Sequence, residues 1–228
     1  MLIDHVGFLF FPNILLFRIL GRLALPIFAF MIAEGCKYTR NKLKYFLTIF
    51  ILAAICQIVY FIYGGDTDMC VLVTFSLSIL LIYSLQLFKN TLFADGSSAL
   101  RKFFSALPFV LLSAAVYVLN MFVIIDYGFF GCFMPVLASI FHAPKNCSVE
   151  GVTRLDTVPF HVCSLGVGIL LLAVYYGGIQ YFMLFSLPLL LLYSGKRGKR
   201  KMKYFFYIFY PVHLAALQGL YSLIQMLK

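Results

Sequence analysis

Long apolar runs separated by short polar turns fill the chain from end to end. Runs at about 1–16, 18–36, 45–63, 71–88, 103–125, 129–142, 159–175, 179–193 and 204–225 predict nine helices of an all-α, polytopic transmembrane bundle forming a single integral membrane domain over 1–228. A helix needs about 20 apolar residues to cross a hydrocarbon layer of about 30 Å. The first run falls short of that, so it is expected to belong to a longer natural span that begins upstream of Met1. The run 129–142 is also short and holds Pro135, which predicts a tilted, broken or re-entrant span. The runs 159–175 and 179–193 predict a tight hairpin around Gly177-Gly178. A transmembrane barrel would instead show segments of about ten residues with alternating polarity.

Charge then orients the bundle. The loops 37–44, 89–102, 143–158 and 194–203 hold fifteen of the eighteen Lys and Arg residues, whereas the turns near 64–70, 126–128 and 176–178 hold none and carry Asp66, Asp68 and Asp126. Basic loops stay on the cytoplasmic side of a membrane, which predicts a cytoplasmic N-terminus and an extracytoplasmic C-terminus in a cell (plasma) membrane. The composition agrees. The 228 residues are 63% hydrophobic and 11% charged, more apolar surface than a soluble domain of this size can bury. The net charge of +10 sits in short loops between spans, so it reports topology and implies no nucleic-acid partner. The six cysteines show no CxxC pair, and no metal-ligand spacing is present, so no metal is expected.

One stretch departs from a plain apolar span. Residues 18–40, RILGRLALPIFAFMIAEGCKYTR, carry Arg18 and Arg22 at one end and Glu34 at the other. A charge at mid-membrane costs about 2.5–3.5 kcal/mol even on insertion scales, so such groups face a bundle interior or a wet cavity unless they snorkel to headgroups. Arg18 and Arg22 share a helix face, and Gly21 leaves room beside them for a close helix or a ligand. Pro26 predicts a kink. Asp4 and His5 form a second intramembrane polar pair, and an ionisable residue within a span marks a functional site by default. His142 and His161 are expected at the membrane interface, without a role.

Taken together, LIDHVG at 2–7, RILGRLALPIFAFMIAEGCKYTRN at 18–41, VTFSLSIL at 73–80, IDYGFFG at 125–131, LLLLYSGKRG at 189–198 and KYFFYIFYPVHL at 203–214 resemble the TraX family. That family is named for a bacterial inner-membrane protein that acetylates the N-terminus of conjugative F-type pilin. More distantly, the Asp-His pair in an early span looks like that of integral-membrane acyltransferases. The resemblance implies acetyl transfer from acetyl-CoA to an amine or hydroxyl, carried by a small-molecule or protein acceptor at or outside the membrane.

Acyl transfer needs a base or nucleophile, a group that stabilises the oxyanion, and a place for an anionic donor. His5 is the first candidate base or acyl acceptor and His213, beyond Pro211, the second; a packing role for His213 stays open. Asp4 and His5 are consecutive, so Asp4 is expected to pair with Arg18 or Arg22, leaving an arginine for the oxyanion. Asp4, His5, Arg22 and His213 are the candidate catalytic set. Arg18, Glu34, Tyr38, Arg40 and Tyr210 are the candidate substrate-binding set, Tyr38 and Arg40 through the family-like YTR element. The loop cations Lys37, Arg40, Lys42 and Lys44, and the basic cluster 196–203, would meet donor phosphates or simply set orientation. A transporter or flippase using the same charges as a proton relay is the alternative, and a non-catalytic assembly factor is a third reading.

Overall fold

Proline sets where several of these helices begin. The computed structural model describes residues 1–64, 69–94, 96–144, 147, 149–195 and 203–227; the expectations placed on Asp66, Asp68, Lys145 and the basic run 196–202 lie outside the described residues. Helix α1 spans Leu2–Phe10, ending just before Pro12. Helices α2 (Leu15–Arg22) and α3 (Ala24–Tyr38) run on from one another with a junction at Leu23. The ring of Pro26 would strike the carbonyl of Arg22, four residues earlier, if one helix continued unbroken. Restarting at Ala24 places Pro26 in a first turn, where its missing N–H costs nothing. The expected kink is therefore a break three residues before the proline.

The remaining helices are α4 (Lys42–Gly64), α5 (Val71–Leu92), α6 (Ala99–Phe122), α7 (Gly128–Ala138), α8 (Glu150–Leu155), α9 (Val158–Tyr176), α10 (Ser186–Leu191) and α11 (Lys203–Met226). Among the described residues, five helices are long and apolar enough to cross a membrane: Leu15–Tyr38, Lys42–Ile62, Val71–Leu92, Ala99–Phe122 and Val158–Tyr176. The chain is thus a helical membrane bundle, but three of the nine expected spans, 1–16, 129–142 and 179–193, differ in kind. Residues 1–16 hold the nine-residue α1, and 129–142 hold the eleven-residue α7. Helix α11 matches the expected span 204–225 in length, with 24 residues. Residues 179–193 do not form a returning helix. After Gly177 and Gly178, both with positive φ as the expected turn requires, a 3-10 segment covers Gly178–Phe185 and only then does α10 start. Pro188 again lies in a first turn, clashing with any helix that carried the Leu184 carbonyl.

Helix α5 is the axis of the bundle, packed by α3, α4, α6 and α7, with α9 against α7 and α11 against α4 and α1. Phe75, Ile79, Leu81 and Ile82 of α5 are fully enclosed. By contrast, only 6% of the apolar window of α6 is buried inside the protein, so that helix packs on α5 along one half-buried face and leaves the rest open. Among the described residues, two groups of contacts tie the inter-helix segments together. At one end Met69 bridges Ile125, joining the turn before α5 to the turn before α7. At the other, Lys37 Nζ lies 2.6 Å from Asp156 Oδ1, Lys89 Nζ donates to the Ile140 carbonyl at 2.9 Å, and Tyr83 donates to the Lys42 carbonyl at 3.2 Å.

Helix α1 packs on α2 through two glycines. A Cβ placed on Gly21 would lie 2.3 Å from Asp4 Cβ and 2.6 Å from Asp4 Oδ1, and one on Gly7 would lie 2.4 Å from Phe17 Cβ. Asp4 Cβ is fixed to its own backbone, so Gly21→Ala must push the two helices apart. Overpacking of this kind costs about 1–3 kcal/mol. We expect Gly21→Ala to lower the melting temperature in detergent, and an unchanged melt would contradict this packing.

Candidate functional site

A cavity of about 880 Å³ is enclosed by residues of α1, α3, α4, α5 and α11. Its wall is aromatic and aliphatic, with Phe28, Tyr45, Phe75, Tyr193, Tyr207 and Tyr210 among its residues; Glu34 marks one polar point and His213 another. Four sequence-predicted residues therefore share this space: Glu34, Tyr38, Tyr210 and His213. Tyr38 is largely exposed, whereas Tyr210 is buried at 8% exposure.

His213 is built for a definite tautomer. Its Nδ1 lies 2.8 Å from the Phe209 carbonyl one turn earlier on α11, so Nδ1 carries the proton and donates it there. Nε2 is then a bare acceptor, and it is buried without a hydrogen-bond partner. Phe209 stacks on the ring at 5.0 Å and Tyr210 meets it edge-on at 5.3 Å, fixing its plane. The His5 ring from α1 approaches it at 5.6 Å between centroids. The two candidate bases, 208 residues apart in sequence, are thus neighbours.

The arginines separate. Arg18 Nη1 donates to Asp4 Oδ1 at 3.0 Å and its guanidinium lies over the Phe8 ring at 5.3 Å. Arg22 turns away, buried, and donates to the Tyr127 hydroxyl while stacking against that ring at 5.6 Å. The expectation of an Asp4 pair with one arginine is met by Arg18. Tyr127 was not foreseen; it sits in the left-handed conformation at φ 60 immediately before α7, which is how its side chain reaches back to α2. Arg40 is exposed, just beyond the end of α3.

The largest departure from the sequence reading lies at the Glu34 end. His142 and His161, expected at the interface, are 4% and 2% exposed. His142 follows α7, which ends at Ala138, and His161 stands in the first turn of α9, so both are delivered to α3 by the packing of these helices. His142 Nε2 is 3.1 Å from Glu34 Oε1 and His161 Nδ1 is 3.6 Å from the same oxygen. The two rings meet edge to face at 4.4 Å. His161 Nε2 lies 2.9 Å from Asp156 Oδ1, the oxygen that also takes Lys37. Burial alone would raise the Asp156 carboxyl, but the Lys37 hydrogen bond and charge outweigh it and hold the group below its ordinary value. A second, small cavity of about 80 Å³ touches His142 and is edged by Lys37, Lys42 and Lys89. Lys42 lies over the Tyr83 ring at 4.9 Å.

Sequence spacing gave no warning of this cluster because its members come from α3, from the segment after α7 and from α9. The available signal was weaker: one carboxylate inside a span and two histidines at the ends of other spans, all on the basic side. Comparison with known proteins adds one finding. The family model described as TraX protein matches residues 1–221. No curated protein and no solved structure matches the chain.

Proposed function

Because the chain belongs to the TraX family of helical membrane proteins, we propose that it is an integral-membrane acyltransferase moving an acetyl group from acetyl-CoA to an amine or hydroxyl. The observation that carries this reading is the bare, buried Nε2 of His213 on an 880 Å³ cavity that reaches Glu34 at the basic end. That volume lies within the range of about 300–1,000 Å³ typical of ligand pockets, and its apolar wall suits a pantetheine arm.

In this account the basic end faces the cytoplasm, as the loop charges imply. The donor enters where Lys42, Lys44 and Arg40 offer charge to its phosphates, and its thioester is drawn toward His213. The acceptor hydroxyl or amine gives its proton to His213 Nε2 as its oxygen or nitrogen attacks the thioester carbon. The tetrahedral intermediate collapses by breaking the C–S bond, and the CoA sulfur takes the proton back from the imidazolium. Arg18, held by Asp4 beside His5 in sequence, supplies positive charge for the oxyanion. His5 assists proton movement next to His213. Arg22 positions α2 against Tyr127.

The donor route has its own test. Leu52 lines the cavity, and Leu52→Trp narrows it while leaving the His213 imidazole in the chain. In proteoliposomes given acetyl-CoA and an amine or hydroxyl acceptor, free CoA is expected to appear saturably. Leu52→Trp is expected to raise KM for acetyl-CoA at least tenfold with kcat little changed. Solute uptake with no covalent product would identify a transporter instead.

A further inference from the structure

We propose that Glu34, His142 and His161 bind a divalent transition-metal ion of the zinc class. The proposal does not depend on acyl transfer: Glu34 also lines the large cavity, but His142 and His161 do not. It begins with convergence. His142 Nε2 and His161 Nδ1 approach one oxygen, Glu34 Oε1, at 3.1 and 3.6 Å. In a tetrahedral zinc site with bonds of about 2.0–2.1 Å, neighbouring ligand atoms stand about 3.4 Å apart. One donor atom from each of the three residues lies within 4.8 Å of the other two. A small closing movement of the three side chains around an ion produces that geometry.

Burial and hydrogen bonding strengthen the case. Glu34, His142 and His161 are 8%, 4% and 2% exposed. Yet Nδ1 of His142 and both ring nitrogens of His161 are buried without a well-aimed hydrogen bond. His161 Nε2 is at hydrogen-bonding distance from Asp156, 2.9 Å, but its N–H is not directed at the carboxylate. Ligation through Nδ1 would turn that contact into the carboxylate–histidine–metal arrangement in which an outer carboxylate fixes the ring. Two imidazoles and one carboxylate favour zinc and its neighbours over calcium or magnesium, which prefer oxygen ligands throughout.

Access is also present. Glu34 lines the large cavity and His142 the small one. Three protein ligands leave a fourth position for water or a ligand atom arriving through the cavity.

The test uses the full chain, purified in detergent without chelators. Metal analysis is expected to give about one zinc per chain. After stripping and reloading with Co²⁺, the protein is expected to show the visible d–d absorption of low-coordinate cobalt. His142→Ala, His161→Ala and Glu34→Gln should each lose that spectrum and the zinc-dependent rise in melting temperature. Asp156→Asn should weaken zinc affinity about 10–100-fold. His213→Ala should keep the metal and the spectrum. Elution profile and circular dichroism separate loss of the site from loss of the fold. A folded wild-type protein with only trace metal and no cobalt spectrum would overturn the proposal, as would an unchanged spectrum in His161→Ala.

Discussion

His213→Ala is expected to lower kcat for acetyl transfer by about 10²–10⁴-fold, the usual contribution of a positioned general base. The reason lies in its hydrogen bonding. Nδ1–H donates to the Phe209 carbonyl at 2.8 Å, so the remaining lone pair is on Nε2, buried and unshared. Alanine removes that lone pair and leaves the wall of the cavity otherwise in place. KM for acetyl-CoA should therefore change little, because the donor is held along the cavity and not by the imidazole. His5→Ala is expected to lower kcat less, since the His5 ring stands 5.6 Å from His213 and does not line the cavity itself. Initial rates of CoA release across a range of acetyl-CoA concentrations distinguish kcat from KM. Equal kcat in wild type and His213→Ala would remove His213 from the chemistry.

The second large effect is structural. Arg18→Ala strips Asp4 of its partner at 3.0 Å, where the two side chains are 26% and 19% exposed. Leaving one member of a fully buried pair alone costs about 3–5 kcal/mol. This pair is partly open, so we expect a loss nearer 2 kcal/mol, read as a lower melting temperature in detergent. The charge removed from Asp4 by Asp4→Asn should restore stability in the Arg18→Ala background, because an uncharged amide is cheaper to hold in apolar surroundings. No rescue by Asp4→Asn would show that Arg18 stabilises the protein through its contact over Phe8 instead. The same double variant separates packing from catalysis: stability returns while the oxyanion charge stays absent, so turnover should remain low.

The fold was readable where one segment carried enough information by itself. The spans 45–63, 71–88, 103–125 and 159–175 follow from continuous apolar runs alone, and Gly177-Gly178 announced its turn. Prolines were read as kinks and breaks, but their consequence depends on where the helix restarts. Pro26 and Pro188 both occupy first turns, a placement fixed by which carbonyl each ring would strike. The region after Gly178 became a 3-10 segment and a short helix, which its apolar composition does not distinguish from a span. Within the site, the Asp4–Arg18 pair was legible because Gly21 and the spacing of the charges imply close helices. The meeting of His5 with His213 was not, since only the packing of α1 on α11 brings them together. Glu34 was legible as a costly charge, but its partners His142 and His161 lie in segments that sequence separates by more than a hundred residues.

The most direct measurement gives acetyl-CoA radiolabelled in the acetyl group to protein in liposomes, with wild type and His213→Ala run in parallel. Wild type is expected to release CoA and move label to an added acceptor, while folded His213→Ala does neither above background. Label movement at the same rate in both, or none in a folded wild-type sample supplied with acceptor, would contradict it.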